Sequence, residues 1–236
     1  MDQPMRIMRF PEILTAFLIL ALVLSASTMS AGFLYGRMDF FGEFRVIVCG
    51  VAWLFLNLVY ALLVMRGFLR MFPLPTGVIN LHSREEYIYH VYLLTRMFFF
   101  DPYTRSNIVP VPFLRAIYRA MGAKIDTGTY PAGYITDPLF TRLGKQVTIG
   151  HNSTLTAHEI SGNKLLHDFI DIEDGATVGA NSFVMPGVKI GVNAIVAANS
   201  VVPRNMQIPA YEIWGGIPVK KIGEVKREHE FRQAAR

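Results

Sequence analysis

The chain has 236 residues, enough for one or two domains. Hydrophobic residues make up 52% and charged residues 17%, against about a quarter charged in an ordinary soluble domain, so at least one membrane segment is expected. The net charge of +5, without a dense Lys/Arg tract interleaved with aromatics, argues against a nucleic-acid partner and suits a membrane surface or an anionic cofactor. The single cysteine, Cys49, excludes an internal disulfide and any cysteine-type metal spacing.

Residues 1–72 read as a two-helix membrane anchor. Arg6 and Arg9 precede an apolar stretch from Phe10 to Tyr35. Val46 to Met65 forms a second, ending at Arg66 and Arg70. Each has the length of a membrane span, which needs about 20 residues. A cleaved signal peptide fits less well, because the first stretch is long and a second follows. Basic residues flank the outer ends, so two spans with both termini cytoplasmic are expected. Asn57, in mid-span, reads as an interhelical hydrogen-bonding group.

Residues 73–122 read as connecting and interfacial helices. Pro73 and Pro75 end the second span. Ser83 and Glu86 form a capping box for a helix running to Phe100, with Tyr87, Val91, Leu94 and Phe98 on one stripe. The aromatic run 97–100 lies in the membrane interface or packs on a partner subunit, the interface being preferred. A short helix from Pro112 to Met121 carries Phe113, Leu114, Ile117 and Tyr118 to cap the core that follows.

From there the period changes. Ile172, Val178, Val184, Ile190, Val196 and Val202 recur every sixth residue, each β-branched. Small residues follow several of them (Gly179, Gly191, Ala197). Leu143, Ile149 and Leu155 hold the same spacing upstream, and the phase breaks between Leu155 and Ile172. Neither a helix nor a lone strand has a period of six. Six residues per face and three faces per coil give a prism of short parallel strands around an aliphatic axis, stable only when stacked.

The segments LGKQVTIGHNST and IEDGATVGANSFVMPGVKIGVNAIVAANSVV, with the tail GGIPVKKI, resemble the hexapeptide-repeat acyltransferases, in particular the sugar O-acetyltransferase branch. The resemblance covers roughly residues 120–223. It implies a mainly β fold, a left-handed parallel β-helix over residues 123–210, with a C-terminal coil and tail over 211–236. It also implies a homotrimer with acetyl-CoA as acyl donor in the groove between subunits.

His158 follows Thr156-Ala157 where the repeat is interrupted, the place of the catalytic His in that family. An imidazole suits the base that accepts a hydroxyl proton. Glu159 or Asp168 would orient it. By resemblance, Gly179, Ala180 and Ala198 admit the pantetheine arm, Ala180 N–H faces the thioester oxygen, and Arg204 and Lys220 meet the coenzyme phosphates. Trp214, where a small aliphatic residue is usual, packs on the coenzyme or covers the last coil. Asp137 and His151 are candidate acceptor contacts. His151, His158 and His167 do not have the spacing of the three zinc ligands of gamma-class carbonic anhydrases, so no metal is expected. The expectation is an O-acyltransferase of the bacterial cytoplasmic membrane, acting on a membrane-associated glycan or lipid-linked sugar in surface polysaccharide synthesis. The alternatives are an amine acceptor or a non-catalytic trimeric scaffold for a glycosyltransferase.

Overall fold

The computed structural model describes residues 7–106 and 108–226, so Arg6 and most of the charged tail lie outside the described residues. These residues form two compact units, one helical (7–75 and 80–106) and one built on a β-helix (76–79 and 108–226).

In the helical unit, α1 (Phe10–Tyr35) and α2 (Arg45–Met71) are joined by a 3-10 turn, Asp39–Phe44. Both helices are long and apolar enough to cross a membrane by length and composition. The buried face of α1 carries small residues, Ala16, Ser27 and Ala31, which let a neighbouring helix approach closely. Across the pair, Ser30 bonds Tyr60 at 2.8 Å and Trp53 Nε1 donates to Thr28 Oγ1 at 3.1 Å. Asn57 does not serve this role: its Nδ2 donates to Trp53 O in its own helix. Helix α3 (Arg84–Phe99) is capped by Ser83, which accepts from Glu86 N–H at 3.1 Å. It packs on α1 through the Tyr87–Thr15 and Phe98–Phe17 contacts, and at its end lies the single turn α4 (Asp101–Thr104). The expected stripe is therefore the side turned to α1, while Ile88, Tyr89, Tyr92 and Phe99 are buried elsewhere on the helix.

In the second unit, α5 (Val111–Met121) buries Leu114, Ile117, Tyr118 and Met121. Tyr118 Oη donates to Gly133 O and accepts from Ile135 N–H, each at 3.2 Å, so the helix closes the first coil. Phe113, expected on this cap, is exposed. The coils then stack three parallel sheets. Face one holds residues 124–125, 141–143, 170–172, 189–190 and 207–208; face two holds 130–131, 148–149, 177–178, 195–196 and 212–216; face three holds 134–135, 154–155, 183–184 and 201–202. The period-six residues Ile149, Leu155, Val178, Val184, Ile190, Val196 and Val202 point inward, each fully buried.

Two devices turn the corners. Gly179 lies so close to the next coil that a Cβ would stand 2.4 Å from Ala198 N. The second residue of most corners adopts positive φ, and Asn fills it at Asn152, Asn181, Asn193, Asn199 and Asn205, because a short polar side chain tolerates that conformation. The repeat also runs further than 210. Glu212–Gly216 is the last strand of face two, and Val219–Glu224 folds back on it antiparallel, within the region expected as a coil and tail.

Candidate active site

The phase break after Leu155 is a β-hairpin, His158–Ser161 paired with Lys164–His167. Asp168 N–H donates to Ala157 O at 2.9 Å and closes its neck. His158 therefore stands at the corner between faces three and one, at the base of the hairpin.

Beneath it lies Asp137. Pro138 holds the preceding residue in extended backbone, and Asp137 sits at φ −127°, ψ 78°. Thr141 Oγ1 donates to Asp137 O at 3.0 Å and fixes the turn. The carboxylate Oδ2 accepts from His158 Nδ1 at 2.6 Å, from Thr136 Oγ1 at 2.6 Å and from Ala157 N–H at 3.1 Å. Asp137 is 2% exposed. Burial alone would raise its carboxyl, but the hydrogen bond and charge of His158, with the Thr136 hydroxyl, outweigh this and hold it at about 2. Asp137 is thus a buried partner of the imidazole and not the surface contact for an acceptor that was expected. It also takes the orienting role considered for Glu159 and Asp168: Glu159 reaches Arg204 at 3.7 Å, and Asp168 accepts from Phe169 N–H. The sequence signal for the pair was the Asp-Pro step; what it lacked was the fold bringing residue 137 under residue 158.

His167 is directly opposite His158 in the hairpin and fully buried, its ring 6.2 Å from the His158 ring and 5.0 Å from Phe140. Burial pushes its imidazole down to about 4; the Asp137 charge pulls the other way and His158 adds to the depression. His167 is therefore neutral near pH 7.

The other expected site residues divide between two corners. Arg204 shares the corner of His158 through Glu159. His151, Gly179, Ala180 and Ala198 turn the corner between faces two and three. Within one chain, face three separates the two sets by on the order of 15–20 Å. Lys220 is exposed on the returning strand, opposite Gly215. Trp214 is in register with Val196, at the end of the inward column, and its Nε1 donates to Glu212 at 2.8 Å. It is half-buried at the last coil.

Within one chain His151, His158 and His167 are not gathered at one point. His151 is on the far corner and His158 Nδ1 is engaged by Asp137. Among the described residues no group of three or more His, Cys, Asp or Glu side chains is placed to hold a metal ion.

Residues 170–204 match the family described as the hexapeptide repeat of succinyl-transferase. The matched residues lie on the three-faced coils of the second unit. The chain is similar to the putative acetyltransferase YvoF of Bacillus subtilis, 36% identical over 84 residues, 34% of this chain and 45% of that protein. It is similar to the mitochondrial gamma carbonic anhydrase 2 of Arabidopsis thaliana, 35% identical over 80 residues, 34% of this chain and 24% of that one. It is also similar to the galactoside O-acetyltransferase of Escherichia coli, 29% identical over 120 residues, 46% of this chain and 58% of that one. The chain thus spans between a quarter and three fifths of the length of these relatives.

Proposed function

We propose that the protein is a membrane-anchored, acetyl-CoA-dependent O-acyltransferase acting on a hydroxyl of a membrane-associated glycan or lipid-linked sugar. The observation that carries this reading is the 2.6 Å contact between His158 Nδ1 and the buried Asp137 carboxylate. An ionised carboxylate accepts, so Nδ1 bears the proton and Nε2 is the basic nitrogen. Nε2 takes the proton of the acceptor hydroxyl as its oxygen attacks the thioester carbonyl. A new C–O bond forms, the carbonyl electron pair moves to oxygen, and the Ala180 N–H donates to that oxyanion. The pair returns, the C–S bond breaks, and the sulfur leaves with the proton carried by His158. No acyl-enzyme is needed. Asp137 stays ionised throughout and stabilises the imidazolium that forms.

A homotrimer supports this chemistry, because His158 and Ala180 occupy opposite edges of face three and a neighbouring prism would bring one edge against the other. The outward ladder of face one is charged, with Lys124, Arg142, Asp171 and Lys189 in line. That of face three is Tyr134, Thr154, Phe183 and Val201. Face two is uncharged as well, with Tyr130, Thr148, Thr177, Ile195 and Ile213 in line, so charge disfavours face one, and the two site edges that border face three favour it for packing against another subunit. The two apolar helices support the anchor, and an anchor favours a membrane-bound acceptor. The similarity to a galactoside O-acetyltransferase supports a sugar hydroxyl.

Calorimetry of acetyl-CoA with the full-length protein in detergent tests this reading, beside His158→Ala. Micromolar binding by both, with acetyl transfer by the wild type alone, is the expected result. Absence of binding to acetyl-CoA and to longer acyl-CoAs would overturn it and leave a non-catalytic scaffold.

A further inference from the structure

The hairpin that carries His158 has two strands in sequence but belongs to a three-stranded sheet. Its third strand is Gly77–Ile79, from the segment between α2 and α3. It lies antiparallel on Lys164–His167, with Gly77 opposite His167, Val78 opposite Leu166 and Ile79 opposite Leu165.

The backbone pattern shows how tightly the three are tied. A turn of two residues, Gly162 and Asn163, makes Ser161 and Lys164 the closing pair that exchanges both backbone hydrogen bonds. Bonding alternates from there, so Leu166 bonds toward Glu159 while Leu165 and His167 turn their amides and carbonyls to the other side. Ile79 and Gly77 stand on that side.

Side chains follow the same register, since directly opposed residues share a face. His158, His167 and Gly77 form one row; Ile160, Leu165 and Ile79 form the next. Leu165 and Ile79 are 0% and 2% exposed. A two-stranded hairpin is marginal in water, whereas three strands with a buried face are stable.

We propose that Gly77–Ile79 is a positioning segment for the acyl-transfer site: by completing the hairpin's sheet it holds His158 Nδ1 on Asp137. The proposal rests on the acyltransferase reading above. It makes the link between α2 and α3 a working part of the β-helix site.

The test compares full-length Ile79→Ala and Ile79→Val with the wild type. One readout is acetyl transfer from acetyl-CoA to octyl glucoside; the other is amide hydrogen exchange across residues 158–167. Ile79→Ala empties a buried contact, so exchange at Leu165 and His167 accelerates by about tenfold or more. Displacing an imidazole by about 1 Å can cost up to roughly a hundredfold in rate, so kcat falls by at least about tenfold while KM for acetyl-CoA stays within about twofold. Ile79→Val restores slow exchange and kcat. If Ile79→Ala does not fold, Gly77→Ala carries the test. Gly77 has φ +97° and open space around a Cβ, so the change strains the strand without a clash. Unchanged exchange overturns the proposal, and so does faster exchange with unchanged kcat. A wild type without acetyl transfer overturns the functional reading itself, and the exchange comparison, which needs no turnover, then still decides whether the strand holds the hairpin.

Discussion

Both units bury apolar side chains, but they differ in how much charge they bury and in how much apolar surface they expose. The helical unit buries Glu12, Glu86, His90 and Arg96 and exposes Phe17, Leu18, Leu22, Val51 and Phe55. At its centre, Glu12 meets Arg9 and His90, each at 2.7 Å. The β-helix keeps an aliphatic axis and turns its charged side chains outward. Among the described residues, the carboxylate and imidazole it buries, Asp137 and His167, lie together at the hairpin. The difference teaches two things. Apolar side chains exposed along two helices long enough to cross a membrane support the proposed anchor. In the unit that follows the soluble rule, the place where the rule is broken is the candidate site.

The comparison can be broken or sharpened at several points. The largest effect is expected at the pair itself. His158→Ala removes the proposed base and Asp137→Asn removes its ionised partner. Loss of an orienting carboxylate from such a pair costs about 10⁴ in kcat, with acetyl-CoA binding retained. Activity surviving either change would reduce the dyad to a structural feature.

Next comes the exterior of the helical unit. Phe55→Asp changes an exposed position near the middle of the second apolar stretch, and an aspartate at the centre of a span costs about 2.5–3.5 kcal/mol. The variant should lose its place in alkali-washed membranes. Equal retention would show that this surface faces something other than lipid.

His167 gives an effect of similar size with a sign fixed by pH. Its folded value of about 4 lies below the ordinary 6.5, so between those values the unfolded chain binds a proton that the fold refuses. Stability therefore falls as pH drops from about 6.5 toward 4, by about 3 kcal/mol in all. His167→Phe should flatten that slope in Tm measured across this range. Asp137 acts in a separate window: its contribution is present above the ordinary 3.8 and is lost as pH falls toward 2. A slope unchanged in His167→Phe would place the acid sensitivity elsewhere.

The smallest effects are expected at Arg204 and Lys220, both exposed. Alanine at either should raise KM for acetyl-CoA a few-fold and leave kcat nearly unchanged; the reverse pattern would remove them from the coenzyme site.

The sequence alone determined whatever depends on local period. Six-residue spacing of β-branched residues dictates a coil with one inward position per face, and Ile172 through Val202 occupy those positions because no other arrangement buries them all. Two long apolar stretches dictate two long helices. The break in phase marked the hairpin and its His158. Register at the margins was harder to read: Glu212–Gly216 and Val219–Glu224 lack the repeat, and their strands form only because the last coil offers an edge. Tertiary structure alone decided the partners. Asp137 precedes His158 by one full coil, and stacking brings the two carriers together. Gly77–Ile79 is too short to signal a strand and becomes one because the hairpin presents unpaired amides. Contacts between residues far apart in the chain leave no local period, so His158 was legible in the sequence and its pairing with Asp137 was not.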